Sequence, residues 1–116
     1  MPPIEVRSLP DRSAILAGRG PVDPDTGVIS STMQIWYCNT AESWCDEREH
    51  AHRDCDEAFI VLRGEVVVEC DGKEHVVGPR QVCVFPPQTF HRVVRATPPV
   101  EAFVIRAPAA DDKIYR

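Results

Sequence analysis

Three histidines and one glutamate are spaced so that their side chains can meet at one point. His50 and His52 are two residues apart, which places both imidazoles on the same side of a strand. Glu57 opens the next apolar segment, and His91 follows the turn Pro86-Pro87. Three imidazole nitrogens and one carboxylate oxygen suit Fe(II), Mn(II), Ni(II), Co(II) or Zn(II). Four such ligands around an octahedral ion leave two positions for water, dioxygen or substrate.

The segments that must position these residues are short and rich in β-forming side chains. Turn signals such as Asp71-Gly72 and Pro98-Pro99 separate them. The predicted strands cover residues 29–38, 57–63, 66–70, 73–77, 82–85, 90–96 and 100–106. Strands this short at such regular spacing predict an all-β sandwich or closed barrel. The 116 residues fit one domain, 1–116, with a core of about 28–106 and a C-terminal tail at 107–116.

Composition excludes several classes of function. With 13 basic and 18 acidic residues the net charge is −5, and the cations are scattered, so we expect no nucleic acid partner. No apolar run approaches a membrane span, and no signal peptide is visible, which predicts a cytoplasmic protein without membrane contact. The cysteines are odd in number and lack a C-x-x-C pair, which favours free thiols. They are Cys38, Cys45, Cys55, Cys70 and Cys83.

Alternation along the predicted strands assigns residues to faces. The face that carries Glu57 also carries Phe59, Val61 and Arg63 and is largely apolar, and Val93 shares a face with His91. The residues expected to line an apolar, substrate-binding cavity around the site are Phe59, Val61 and Val93. The opposite face of the 57–63 strand is also apolar, as expected if it packs on a second layer or a partner subunit. Its residues are Ala58, Ile60 and Leu62.

At these residues the sequence resembles the cupin family. His50-x-His52-x4-Glu57-x6-Gly64 is similar to the first cupin motif, and Pro86-x4-His91 to the core of the second. The resemblance implies a cupin-type double-stranded β-helix, a jelly-roll barrel of six to eight strands. It also implies one divalent transition metal inside the barrel, bound by His50, His52, Glu57 and His91. Small cupins are commonly homodimers, so we expect a dimer with contacts from residues 58, 60 and 62 or from the 29–38 strand.

The sequence departs from the second motif at three positions that are not ligands. Arg80 and Gln88 replace its usual glycines, and Arg95 replaces its final asparagine. Arg95 shares parity with His91, so we expect its side chain to face the barrel lumen, where a charge needs a partner. That partner is an internal acid or solvent at the barrel mouth, or else a substrate carboxylate or phosphate gripped by the guanidinium fork.

These features favour a metal-dependent enzyme that acts on a small, acidic organic molecule. A mononuclear non-haem iron oxygenase, with Fe(II) as the metal, is the first expectation. A non-redox isomerase or lyase is its alternative, in which Glu57 could leave the metal to act as a base. The third hypothesis is a cupin that binds a small ligand without catalysis. The fold hosts all three, so fold alone does not choose among them.

Overall fold

Nine β-strands and no helix make up the part of the chain that the computed structural model describes, residues 4–116. The strands are β1 (Ala14–Gly18), β2 (Val28–Ile29), β3 (Gln34–Thr40), β4 (His50–His52), β5 (Asp56–Cys70), β6 (Lys73–Val77), β7 (Gln81–Phe85), β8 (His91–Ala107) and β9 (Lys113–Tyr115). The predicted all-β class is confirmed. Within the same residues, no helix is long and apolar enough to cross a membrane.

The two longest strands, β5 and β8, pair with each other in antiparallel fashion and organise the sheet. On its other edge β5 pairs first with β7 and then with β6. The other edge of β8 pairs with β4 near its start and with β3 near its end. β1 adds to β3, β2 to β1, and β9 to β4. Every strand of the jelly roll is therefore reached from β5 or β8 through a short series of pairings.

Each long strand replaces two of the predicted shorter ones. Residues 56–63 of β5 pair with the end of β8, and residues 65–70 pair with its beginning. The register shifts on both sides of Arg63, and Gly64 adopts a left-handed φ of 80°. Such irregularities let one strand turn from one layer of a sandwich into the other. Gly64 marks a corner within β5, where the sequence predicted the end of a strand.

Burial along β5 follows the predicted alternation at its start. Phe59 is only 8% exposed and Val61 is fully buried, whereas Leu62 is exposed. The inward residues join a core to which β3, β6, β7 and β8 also contribute, for example through Cys38, Val77 and Phe85. The register that places Glu57 on the inner face is therefore the one the protein adopts.

Both ends of the chain contribute strands that the sequence did not predict. β1 lies before the expected core and pairs with β3. The segment expected to be a tail forms β9, in which residues 113–115 pair with residues 50–52 of β4. The tail prediction is wrong because three residues are too few to show alternation, and a strand added at an edge gains its stability from the partner it pairs with.

A pair of glycine variants tests the corner. Gly64 and Gly72 both have positive φ, but a Cβ at Gly64 would lie 2.5 Å from the Pro99 carbonyl oxygen, while a Cβ at Gly72 would meet nothing within 4 Å. Gly72→Ala should cost about 1 kcal/mol of unfolding free energy, from backbone strain alone. Gly64→Ala should cost at least about 2 kcal/mol more, because backbone atoms must move. Urea unfolding measures both, and equal losses would show that the corner is not tightly packed.

Candidate metal centre

The four predicted ligand side chains converge at the junction of β4, β5 and β8. His50 and His91 are directly opposite each other across the β4–β8 pair. All four side chains are buried. His91 Nε2 lies 2.7 Å from Glu57 Oε1, and His52 Nε2 lies 3.3 Å from Glu57 Oε2. The His50 and His91 rings are 4.6 Å apart between centroids. One ligand atom each from His50, Glu57 and His91 fits within 4.8 Å of the others.

The His91 ring is held in place from two directions. Its Nδ1 lies 2.9 Å from the carbonyl oxygen of Thr89, an acceptor only, so Nδ1 carries the proton and donates. Its face stacks on Phe85, with 3.8 Å between centroids and 6° between planes. Phe85 belongs to β7, where it is directly opposite Glu57 of β5. These contacts leave Nε2 as the nitrogen that faces Glu57.

The His52 ring is oriented by a residue that sequence reasoning missed. Its Nδ1 lies 2.9 Å from Asp112 Oδ1, 60 positions further along the chain. The other oxygen of Asp112 accepts hydrogen bonds from the backbone N–H groups of Asp54 and Cys55, at 2.8 and 3.0 Å. Asp112 directly precedes β9, so the unpredicted strand is what carries this carboxylate to the site. No spacing motif in the sequence signals it.

The buried carboxylate of Glu57 is ionised. Burial opposes ionisation, but His52 and His91 outweigh that effect and lower the pKa of Glu57 to about 2. Burial and the neighbouring His91 lower the pKa of His50 to about 4, so its imidazole is neutral near pH 7. The pKa of His52 is raised, since Glu57 and Asp112 outweigh the effect of burial. An ionised carboxylate is the form of Glu57 that a metal-ligand role requires.

The donor set fits a divalent transition metal. The Nδ1 of His52 donates to Asp112, and the Nδ1 of His91 donates to the carbonyl oxygen of Thr89. When either ring is neutral, its Nε2 lone pair therefore points at a carboxylate oxygen of Glu57. An Nε2 atom that faces a carboxylate oxygen in a buried site needs either a proton or a metal cation between the two atoms. His52 Nε2 is buried and has no hydrogen-bond partner among the described residues. Imidazoles whose other nitrogen is anchored by a carboxylate or carbonyl are the usual form of metal-bound histidine.

A cavity of about 290 Å³ opens beside the four side chains. Phe59 and Val93 line it, as the alternation predicted, and so do Trp36 and Val104. Val61 does not line this cavity; it is fully buried in the hydrophobic core behind it. The polar lining residues are Gln34, Asp46, His50, His52, Glu57, Arg106 and Lys113. The volume suits a small organic molecule.

The prediction that Arg95 faces this lumen is wrong. Val68 pairs with Val93 and Val67 with Arg95, so Val94 is an extra residue in β8. The resulting bulge reverses the alternation, which turns Ala96 inward and Arg95 outward. The Arg95 side chain is 58% exposed and pairs with Glu74 on the surface at 3.0 Å. Arg95 therefore cannot serve as the expected substrate-binding residue.

The substituted glycine positions of the second motif keep the backbone that glycine favours. Arg80 has a φ of 66° and Gln88 a φ of 64°, both left-handed. The backbone N–H of Gln88 donates to the carbonyl oxygen of His52 at 2.7 Å. The turn before His91 is thus tied to β4, so the two histidine-bearing segments are fixed relative to each other.

All five cysteines are free, as predicted. Cys55 lies between His52 and Glu57 in the sequence, and it is fully buried with its thiol donating to the Pro108 carbonyl oxygen at 2.8 Å. Burial and the neighbouring Asp112 raise its pKa to about 11. It is therefore a structural thiol rather than a reactive thiolate.

The fold and this site define a cupin. Residues 37–106 match the family described as Cupin domain, so the chain belongs to that family and the resemblance seen in the sequence is confirmed. No curated protein matches the sequence.

Three solved structures illustrate what the fold resembles. A variant of PAC13 from Streptomyces with uridine has a TM-score of 0.65 at 15% identity, over 78% of this chain and 73% of that one. KdgF from Halomonas sp. has a TM-score of 0.58 at 18% identity, over 71% and 75%. The DMSP lyase DddQ from Ruegeria pomeroyi DSS-3 has a TM-score of 0.62 at 17% identity, over 88% of this chain and 49% of that one. At these identities the likeness extends to the fold alone.

An Asp112 variant tests the support of His52. Asp112→Asn removes the negative charge that holds the Nδ1 proton of His52, so the affinity for Zn(II) should fall by about 10–100-fold. Asp111→Asn is the matched control, because Asp111 is the adjacent exposed residue. Competition with a chromophoric chelator measures the affinity, and circular dichroism checks the fold. Equal affinities in the two variants would show that Asp112 does not support the site.

Proposed function

We propose that this protein is a divalent-metal-dependent enzyme that acts on a small organic molecule bound in the cavity. His50, His52, Glu57 and His91 hold the metal. One observation supports this proposal above the others. The buried, ionised carboxylate of Glu57 lies opposite the Nε2 atoms of His52 and His91, and each ring is held in place through its Nδ1. When bound, such a metal supplies Lewis acidity, and a redox-active one also supplies electrons.

The chain's own residues prepare the cavity for chemistry. Trp36, Phe59 and Val104 form an apolar wall on one side of the cavity, which strengthens the electrostatic interactions next to it. Asp46 limits the motion of the loop before β4, because its carboxylate accepts from the Val93 N–H at 2.8 Å. The same carboxylate lies 4.0 Å from His50 Nδ1. The ligands are thus positioned before any substrate enters.

Two reaction types are candidates. A non-redox elimination is supported by the similar structures, which include Pac13, a nucleoside dehydratase, and the DMSP lyase DddQ. The iron-dependent oxygenation expected from the sequence is supported by the set of three imidazoles and one carboxylate. Oxygen uptake by Fe(II)-loaded protein with candidate metabolites separates them, because elimination consumes no dioxygen.

Metal analysis of histidine variants tests the proposal. His52→Ala and His91→Ala should lose most of the near-stoichiometric metal of the wild type, because each removes one ligand. His75→Ala is the control, since His75 lies exposed on β6 away from the cavity. Elemental analysis after mild purification gives the metal content, and circular dichroism checks the fold. If His52→Ala and His91→Ala keep as much metal as the His75→Ala control, the ligand assignment is refuted.

We also propose that the chain forms a homodimer. The outward faces of β5 and β7 are apolar, with Ala58 paired to Val84 and Ile60 to Val82. Val82 and Val84 are 60% and 58% exposed, and Leu62 is exposed beside them. A contiguous apolar patch of this kind is typical of an interface. The second expected contact, the predicted 29–38 strand, is divided in the structure between β2, which ends at the exposed Ile29, and β3, which begins at Gln34.

Light scattering tests the assembly. The wild type should have a mass near twice the 13.0 kDa of the chain. Val84→Lys should shift the mass toward the monomer, because it places a charge within the apolar face. Val6→Lys is the control, since Val6 is also exposed but lies outside β5 and β7, in the segment before β1. A wild-type mass near 13.0 kDa would contradict the dimer.

A further inference from the structure

Arg106 lies beside the metal centre, in the cavity wall. On β8 it is directly opposite Gln34 of β3 on one side and Glu57 of β5 on the other. The three residues form one row across the sheet, and all three line the cavity. Side chains directly opposite each other in a sheet have Cβ atoms about 4.5–5.5 Å apart. The guanidinium of Arg106 and the amide of Gln34 therefore lie next to the carboxylate of Glu57, which is one of the proposed metal ligands.

The charge of Arg106 has no acidic partner. Within residues 4–116 no carboxylate oxygen lies within 4.0 Å of its guanidinium, whereas Arg92 and Arg95 each have one. Its nearest polar contact is His52 Nδ1, at 3.4 Å from Nη1. That nitrogen carries the proton that Asp112 accepts, so it cannot also accept from Arg106. A partly buried guanidinium without an acceptor is costly, and an anionic ligand would remove that cost.

The electrostatic balance of the cavity points the same way. Lys113 on β9 lines the cavity and, among the described residues, also has no carboxylate partner within 4.0 Å. The second acidic residue in the wall, Asp46, already accepts a hydrogen bond from the Val93 N–H. Arg106 and Lys113 balance the negative charges of Glu57 and Asp46, and a bound divalent metal would add two positive charges. The filled site is positively charged and attracts anions.

We propose that Arg106, with the Gln34 amide beside it, binds a carboxylate group of the substrate. The inference rests on the proposed function, in that it takes this cavity as the substrate site. A guanidinium presents two parallel N–H donors that match the two oxygens of a carboxylate. The amide nitrogen of Gln34 is a third donor from the adjacent strand. The carboxylate end of the molecule lies at Arg106, and its reactive end lies toward the four ligands.

Calorimetric titration with simple diacids tests this assignment. Succinate, its neutral analogue succinamide, and inorganic phosphate are titrated into Zn(II)-loaded and metal-free protein. Succinate should bind the wild type at least about tenfold more tightly than succinamide. Arg106→Gln should weaken succinate binding at least about tenfold, and Arg106→Lys by a smaller factor, because an ammonium keeps the charge but loses the fork. Arg95→Gln removes the same charge on the outer surface and should leave binding within twofold.

The outcomes separate this inference from the proposed function. Succinate binding that is unchanged in both Arg106 variants, or succinamide binding equal to succinate, overturns the inference. Phosphate bound more tightly than succinate, with the same dependence on Arg106, overturns the carboxylate assignment. If Arg106→Gln does not fold, Arg106→Lys carries the test. A third outcome is that the wild type takes up no metal but still binds succinate, and that Arg106→Gln weakens this binding. That outcome would support the inference and refute the metal-dependent function.

Discussion

The structure depends on one constraint, a buried negative charge at Glu57 that must be compensated from all sides. Burial raises the free energy of that charge, and the protein offsets this with imidazoles drawn from β4 and β8. The imidazoles in turn need their outer nitrogens satisfied, so Thr89 and Asp112 are fixed as well. Each compensating contact comes from a different element, which is why the jelly roll closes around this point.

This network also explains why apolar and polar groups meet so sharply in the cavity. The stack of Phe85 on His91 and the edge contact of Phe59 with Phe85 keep water from the outer side of the ligands. On the open side, the row of Gln34, Arg106 and Glu57 supplies polar contacts in a line across three strands. The adjacent row across the same three strands is apolar and consists of Trp36, Val104 and Phe59. A molecule in the cavity therefore contacts polar groups along one row and apolar groups along the other.

The sequence predicted what local periodicity and spacing encode. The all-β class, the inner face of β5 and the convergence of His50, His52, Glu57 and His91 all follow from alternation and motif spacing. Arg95 was misplaced because a one-residue bulge at Val94 leaves no mark in composition yet reverses the direction of the side chains that follow it, Arg95 and Ala96. Asp112 and Arg106 were missed for another reason: their importance comes from pairings with β4, β3 and β5, which are distant in sequence.

That distance has a consequence for how the protein reaches its native state. His50, His52 and Glu57 are close along the chain, but His91 and Asp112 join them only after long loops have closed, and loop closure costs entropy before the contacts repay it. The complete set of proposed ligands exists only in the finished fold, so a metal present during refolding would bind correctly closed chains more tightly than partly folded ones. By mass action it would then stabilise them against reopening.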